Sequence, residues 1–278
     1  MRLLDWVKEV EGKNRFGREK AVIKILERNK INFYIEKYDF LGQQGENIVI
    51  EFGSGKNEIL VTTHYDVVSG SPGANDNGSC IAILIDVAKR LKKAKLKNKV
   101  KVIIFDQEEP GCLGSRAYVR RHGFENIIGV YNTELCGMGD VVGVWPVTKD
   151  VSDSAALGVL RDTVKKLGYG LEEAAELPIF FGDHRSFREL GFKDAFCLSV
   201  VPGKDVEEIR RFVTISKEKL VFRSLLGLVI KPLGPKVPFM FQLYHSSEDK
   251  SKYLNESALQ MMSRVIYSSI LELDGKYR

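Results

Sequence analysis

Cysteine is scarce in this chain: four among 278 residues, Cys80, Cys112, Cys136 and Cys197, none in a close pair such as C-x-x-C. A chain of this length builds a core without cross-links, so a disulfide-held scaffold is excluded and reduced, buried thiols are expected. Long apolar runs are missing as well. No stretch is long enough to cross a bilayer, and the opening Met1-Arg2-Leu3-Leu4-Asp5-Trp6 reaches Lys8, Glu9 and Glu11 too soon for the apolar centre of a secretion signal. A cytoplasmic protein with no membrane partner is the expectation. Nor does one sign of charge dominate. The 42 basic and 37 acidic residues leave +5, spread along the chain rather than gathered in a tail, which does not point to nucleic acid. The densest basic stretch, residues 89–101, reads as a solvated helix end and the loop after it. Gly53-Ser54-Gly55-Lys56 lacks what a phosphate-binding loop needs, a glycine where Ile50 stands and a hydroxyl where Asn57 stands, and reads as a hairpin turn.

What is present is a hydrophobic content of 44%, enough for a sizeable core. The length suits one large domain or two small ones, and a single domain spanning residues 1–278 is expected. Short β-rich runs at 47–52, 59–63, 100–105, 127–131 and 195–201 alternate with helical periodicity at 18–29, 79–92, 114–122, 154–167 and 256–273. Because parallel strands require crossover helices, the pattern implies an α/β fold with a mixed, largely parallel sheet sandwiched between helices. Residues 145–180 and 203–242, the latter ending in Pro232, Pro235 and Pro238, fit the rhythm poorly and read as excursions near the site.

In such sheets ligands gather where strands end at their carboxyl edge. His64-Tyr65-Asp66 follows one strand, Glu108-Glu109 a second and Glu134 a third. Asp76 lies in the Gly- and Asn-rich loop before the helix near Ser79, and His245 precedes the last helix. Imidazole nitrogens and carboxylate oxygens suit zinc, with cobalt or manganese as substitutes. One carboxylate can bridge two ions, and of two adjacent glutamates one can bind metal while the other stays free as a general base. Singly, each signal has a plainer reading: a turn cap for His64 and Asp66, a helix N-cap for Asp76, charges at a helix start for Glu108 and Glu109, a strand-end charge for Glu134, a hydrogen-bonded partly buried histidine for His245. Their common placement at the ends of one sheet favours convergence.

Together these segments resemble the family of di-zinc exopeptidases that includes bacterial leucyl aminopeptidases, glutamate carboxypeptidase, the transferrin receptor and glutaminyl cyclase. The resemblance rests on six blocks in order: His64-Tyr65-Asp66; Gly73-Ala74-Asn75-Asp76-Asn77-Gly78-Ser79; Phe105-Asp106-Gln107-Glu108-Glu109 with Leu113-Gly114-Ser115; Asn132-Thr133-Glu134; Gly182-Asp183-His184 with Phe187; and Tyr244-His245 with Asp249. It implies that Asp76 bridges two zinc ions, Glu109 and His245 complete one site, His64 and Glu134 the other, Glu108 is the general base, and Asp66 fixes the tautomer of His64. Three positions depart from the family's pattern. Asn77 stands where a second acidic residue is usual, Glu134 where aspartate is usual, and Gly182 where serine or threonine often precedes Asp-His, so Asp183 and His184 are assigned structural roles. His122 matches no family position and reads as a surface residue. The resemblance implies an aminopeptidase acting on peptides; a glutaminyl cyclase needing only Asp76, Glu109 and His245, or a binding module without peptidase activity, are the alternatives.

Overall fold

The aliphatic runs of the sequence form one eight-stranded sheet in the computed structural model, which describes residues 2–151, 153–175, 182–212 and 237–277. Its strands are β1 (Tyr34–Phe40), β2 (Gln43–Phe52), β3 (Glu58–His64), β4 (Lys99–Phe105), β5 (Ile127–Thr133), β6 (Val141–Trp145), β7 (Gly170–Glu173) and β8 (Ala195–Val201). They lie in the order β1-β2-β4-β3-β5-β8-β6-β7. The centre, β4-β3-β5-β8, is parallel, while β1, β2 and β6 run antiparallel to a neighbour. The expected mixed, largely parallel α/β sheet is therefore present. The five strands read from the sequence are its central members. β1, β6 and β7 were not legible, since they are peripheral, partly exposed, and in β6 and β7 interrupted or opened by glycine.

Strand alternation sends side chains to two cores. From β3, Ile59 and Val61 face the larger core and Leu60 the smaller; from β4, Val102 and Ile104 face the larger and Ile103 and Phe105 the smaller. The larger core is closed by α1 (Leu3–Val10), α2 (Arg15–Arg28), α3 (Cys80–Leu91), α5 (Ala155–Lys166) and α8 (Glu256–Lys276). The smaller is closed by α4 (Leu113–His122) and α6 (His184–Glu189). Each wholly buried aliphatic contributes roughly 1.5–3 kcal/mol, which is why strands buried on both faces read as continuous apolar runs.

Two expectations are corrected here. Gly53 to Lys56 is not a hairpin turn, because β2 and β3, which it joins, are separated by β4. It is a crossing that rides over residues 97–98, where a Cβ on Gly53 would stand 2.2 Å from the Asn98 oxygen. The basic stretch 89–101 is solvated at Lys92, Lys93, Lys95 and Lys97 but not at its end. Lys101 is buried in β4, 2.8 Å from Glu58 and 3.2 Å from the Tyr118 hydroxyl. Of the region 145–180, the described part is regular and holds α5 and β7; residues 176–181, like 213–236 of the second region, lie outside the described residues. No described helix is long and apolar enough to cross a membrane.

Candidate metal centre

Three neighbouring strands deliver most of the candidate residues. β4, β3 and β5 run side by side in one direction, roughly 5 Å apart, so the residues that follow them emerge on one edge. His64 closes β3, Glu108 and Glu109 lie in the loop after β4, and Glu134 follows β5 directly. Asp76 comes from the tight helical turn Ala74–Ser79 that leads into α3; its backbone is non-helical, and the Asp76–Asn77 peptide is cis. His245 follows the short helix α7 (Phe239–Leu243).

Asp76 lies between the two imidazoles. Its Oδ1 is 3.4 Å from His64 Nε2 and its Oδ2 is 3.1 Å from His245 Nε2. Glu134 Oε2 stands 3.3 Å from His64 Nε2, and Glu109 Oε2 3.0 Å from His245 Nε2. Two triads result, His64–Asp76–Glu134 and Asp76–Glu109–His245, which share Asp76. Donor atoms around a tetrahedral zinc, each about 2.0–2.1 Å from it, are roughly 3.3 Å from one another, and the four spacings cluster around that value. Asp76 Oδ2 and Glu109 Oε1 are buried without a hydrogen-bond partner, a condition proteins avoid unless a further group completes it. The residues therefore fit binding of a zinc-class ion. Glu108 lies outside the two triads that share Asp76, its Oε2 4.0 Å from His64 Nε2, though with His64 and Glu109 it forms a third group close enough to hold an ion.

The electrostatics have the same sense. Burial lowers the proton affinity of His64, but Glu134, Asp66 and Asp76 outweigh it and hold its pKa well above the usual histidine range. His245 is likewise pulled down by burial and raised to about 10 by Asp76 and Glu109. Burial raises Asp76, and the two histidines outweigh it and hold its carboxyl below the ordinary range. A pocket that holds protons this firmly attracts a divalent cation for the same reason. Burial also pushes Glu108 well above the carboxylate range, with Glu134, Asp183 and Glu109 adding to it against the opposing pull of His64.

Asp66 faces His64 as expected, but the contact is long. His64 Nδ1 is 3.3 Å from its Oδ1 but out of hydrogen-bond alignment. The carboxylate also accepts from the amides of Glu108 at 3.0 Å and Glu109 at 3.1 Å, because the turn after β4 presents both amides to it. Asn77, read only as a missing charge, is built into the centre: its Nδ2 donates to Thr133 O at 3.0 Å and to Glu134 Oε2, while its Oδ1 accepts from Leu135 N. Asn132 Nδ2 donates to Glu134 Oε1 at 3.0 Å, its amide oriented by the Thr62 hydroxyl bonded to Oδ1.

The remaining candidates stand apart from the triads. Asp183 and His184 are buried beside α6; burial raises Asp183 well above its usual range, and burial, aided by Arg188 and Arg185, lowers His184 to about 3. His122 is exposed at the end of α4 and pairs with Glu36 at 2.8 Å. All four cysteines are buried and free; Cys112 Sγ donates to Glu108 Oε1 at 3.6 Å and Cys136 Sγ to Glu134 O at 3.5 Å. Two contributors had no role assigned from sequence, Asp249 being quoted only within a motif block and Arg18 only at the start of an expected helix. Asp249 accepts from the amides of Asn75 and Asp76 at 2.8 and 3.0 Å, and Arg18 is buried beneath the same loop. The available signal for Arg18 was a charge on the apolar stripe of α2, four and seven residues before Val22 and Ile25.

The chain is similar to aminopeptidase YwaD of Bacillus subtilis, 46% identical over 61 residues that cover 22% of this chain and 13% of that protein. It spans well under two thirds of the curated relatives it matches. Its fold is that of a zinc aminopeptidase from Bacillus subtilis (TM-score 0.63, 22% identity, 84% of this chain and 51% of that one). The Porphyromonas gingivalis glutaminyl cyclase is also similar (TM-score 0.66, 16% identity, 98% of this chain and 97% of that one). Residues 47–270, which carry the whole of both triads, match the profile of peptidase family M28, and the chain belongs to that family.

Proposed function

We propose that the chain is a zinc-dependent exopeptidase, an aminopeptidase that releases N-terminal residues from peptides. The observation that carries this reading is the pair of histidine–carboxylate triads sharing Asp76, with Glu108 beside them and free of both. Asp76, Glu109 and His245 would hold one ion and His64, Asp76 and Glu134 the other; cobalt or manganese would serve with the same donors. Zinc, when bound, supplies Lewis acidity that lowers the pKa of water and stabilises negative charge on a carbonyl oxygen. Glu108 takes the proton of the attacking water and returns it to the leaving amine, a task suited to a buried carboxylate of raised pKa. Asp66 keeps Glu108 and Glu109 in register through their amides.

Elemental analysis of the purified chain, run beside release of free amino acids from short peptides with and without chelator, tests the proposal. Two ions per chain and chelator-sensitive release of the N-terminal residue are expected; full metal loading without release from any peptide would refute it. One observation favours a second reading, a single-ion cyclase of N-terminal glutamine. Both oxygens of Glu134 already accept bonds from Asn132 and Asn77, which reduces what they offer a cation. A single tightly bound ion with cyclisation and no release would select that reading.

A further inference from the structure

Arg18 has no exposed surface, although it carries a charge and projects from α2, outside the stretch that matches the family. A buried guanidinium is costly unless its surroundings compensate it. Here the loop that bears Asp76 compensates one of its nitrogens, while Nε and Nη2 are buried without a hydrogen-bond partner. Nη1 donates to Gly73 O at 2.9 Å and reaches Pro72 O at 3.5 Å. The charge faces Asp76, Asp66, Asp249 and Glu109, which oppose the lowering of its pKa by burial. The same loop is held from its other side by residue 249, whose main-chain oxygen accepts from Ala74 N at 3.1 Å and whose carboxylate accepts from Asn75 and Asp76. Carbonyls are gripped by a cation and amides by an anion. The contact is close enough to require glycine: Gly73 has φ +67°, and a Cβ there would stand 2.2 Å from Arg18 Nη1 and 2.8 Å from Asp76 O.

We propose that Arg18 is a positioning residue of the metal centre: it holds the 72–76 loop so that Asp76 turns one oxygen to each triad, and its fixed charge offsets the carboxylates crowded around Asp76. The proposal rests on the metal-binding reading above. Its substance is that α2, through a residue touching no metal ligand side chain, sets the affinity of the site. A core-filling role alone would lower stability without altering how the site binds a cation.

The test compares the full chain with Arg18→Met and Arg18→Lys. Each is stripped of metal, melted in EDTA, then titrated with Zn²⁺ against a chromophoric chelator and with Co²⁺ followed by its visible absorption. Arg18→Met is expected to bind Zn²⁺ about 10–100-fold more weakly, as loss of groups that orient ligands does, with an altered Co²⁺ spectrum; Arg18→Lys should recover part of the affinity. A folded Arg18→Met with the affinity and spectrum of the unaltered chain would overturn the proposal. Should Arg18→Met fail to fold, Arg18→Gln decides, because it keeps a donor toward the loop without the charge; undiminished affinity there is equally fatal. If the unaltered chain binds neither ion, the underlying metal reading falls and this proposal with it, an outcome distinct from unchanged affinity in the variants.

Discussion

In the proposed reaction Glu108 would be fitted for proton transfer by neighbours that take no part in the chemistry. Its amide is tied to Asp66, its Oε1 receives the Cys112 thiol, and burial raises its proton affinity. Glu108→Gln keeps the shape and the backbone tie but removes the proton acceptor. Turnover of peptides should fall by at least about 100-fold while elemental analysis finds the metal content of the unaltered chain. Near-normal turnover would remove Glu108 from the mechanism, and loss of metal would make it a ligand. Glu134 carries a different lesson. Its additional methylene relative to aspartate is accommodated by amide donors from Asn77 and Asn132, so a departure that sequence presents as an isolated change is one side of a three-residue arrangement.

At the scale of elements, the loop from Asp106 to Glu109 is held against the first turn of α4. Asn47 of β2 donates to Gly114 O at 3.1 Å and accepts from Asp106 N at 3.2 Å, and Gly114 N donates to Asp106 O at 3.0 Å. A Cβ on Gly114 would lie 2.4 Å from Asp106 O and 2.5 Å from Asn47 Oδ1, so the helix and loop touch at a glycine. Gly114→Ala should destabilise the chain by about 1–3 kcal/mol, the range for overpacking a close contact, read as a lower urea midpoint. An unchanged midpoint would mean that α4 can retreat from the loop at no cost.

For the whole molecule, the candidate metal centre joins segments far apart in the chain, His64 in a central strand and His245 shortly before α8. An ion that binds only when these segments are assembled stabilises the folded state by mass action, by about 2.7 kcal/mol at a free concentration a hundred times its dissociation constant. Chelator should therefore lower the melting temperature and added zinc restore it. A melting temperature indifferent to both, in a chain that binds zinc tightly, would place the ion away from this junction.

The central strands were legible because apolar runs buried on both faces are a local pattern, whereas β1 and β7 are partly exposed edges and β6 is a short strand broken by Gly143, and the pairing of all three depends on distant partners. The candidate residues His64, Asp76, Glu109, Glu134 and His245, which the structure brings together, were legible for a similar reason: a polar residue at the end of a buried strand, or in a loop entering a helix, is a feature of a few neighbouring residues. Sequence by itself thus determined the class of fold and which polar residues were candidates for the site. Only the tertiary structure decided that Asp76 turns one oxygen to each imidazole, that Asp66 serves two amides as well as facing His64, and that Arg18 lies under the loop. Those relations follow from the order β4-β3-β5 and from helices returning across the sheet. They depend on distances between residues far apart in the chain, which no local pattern encodes.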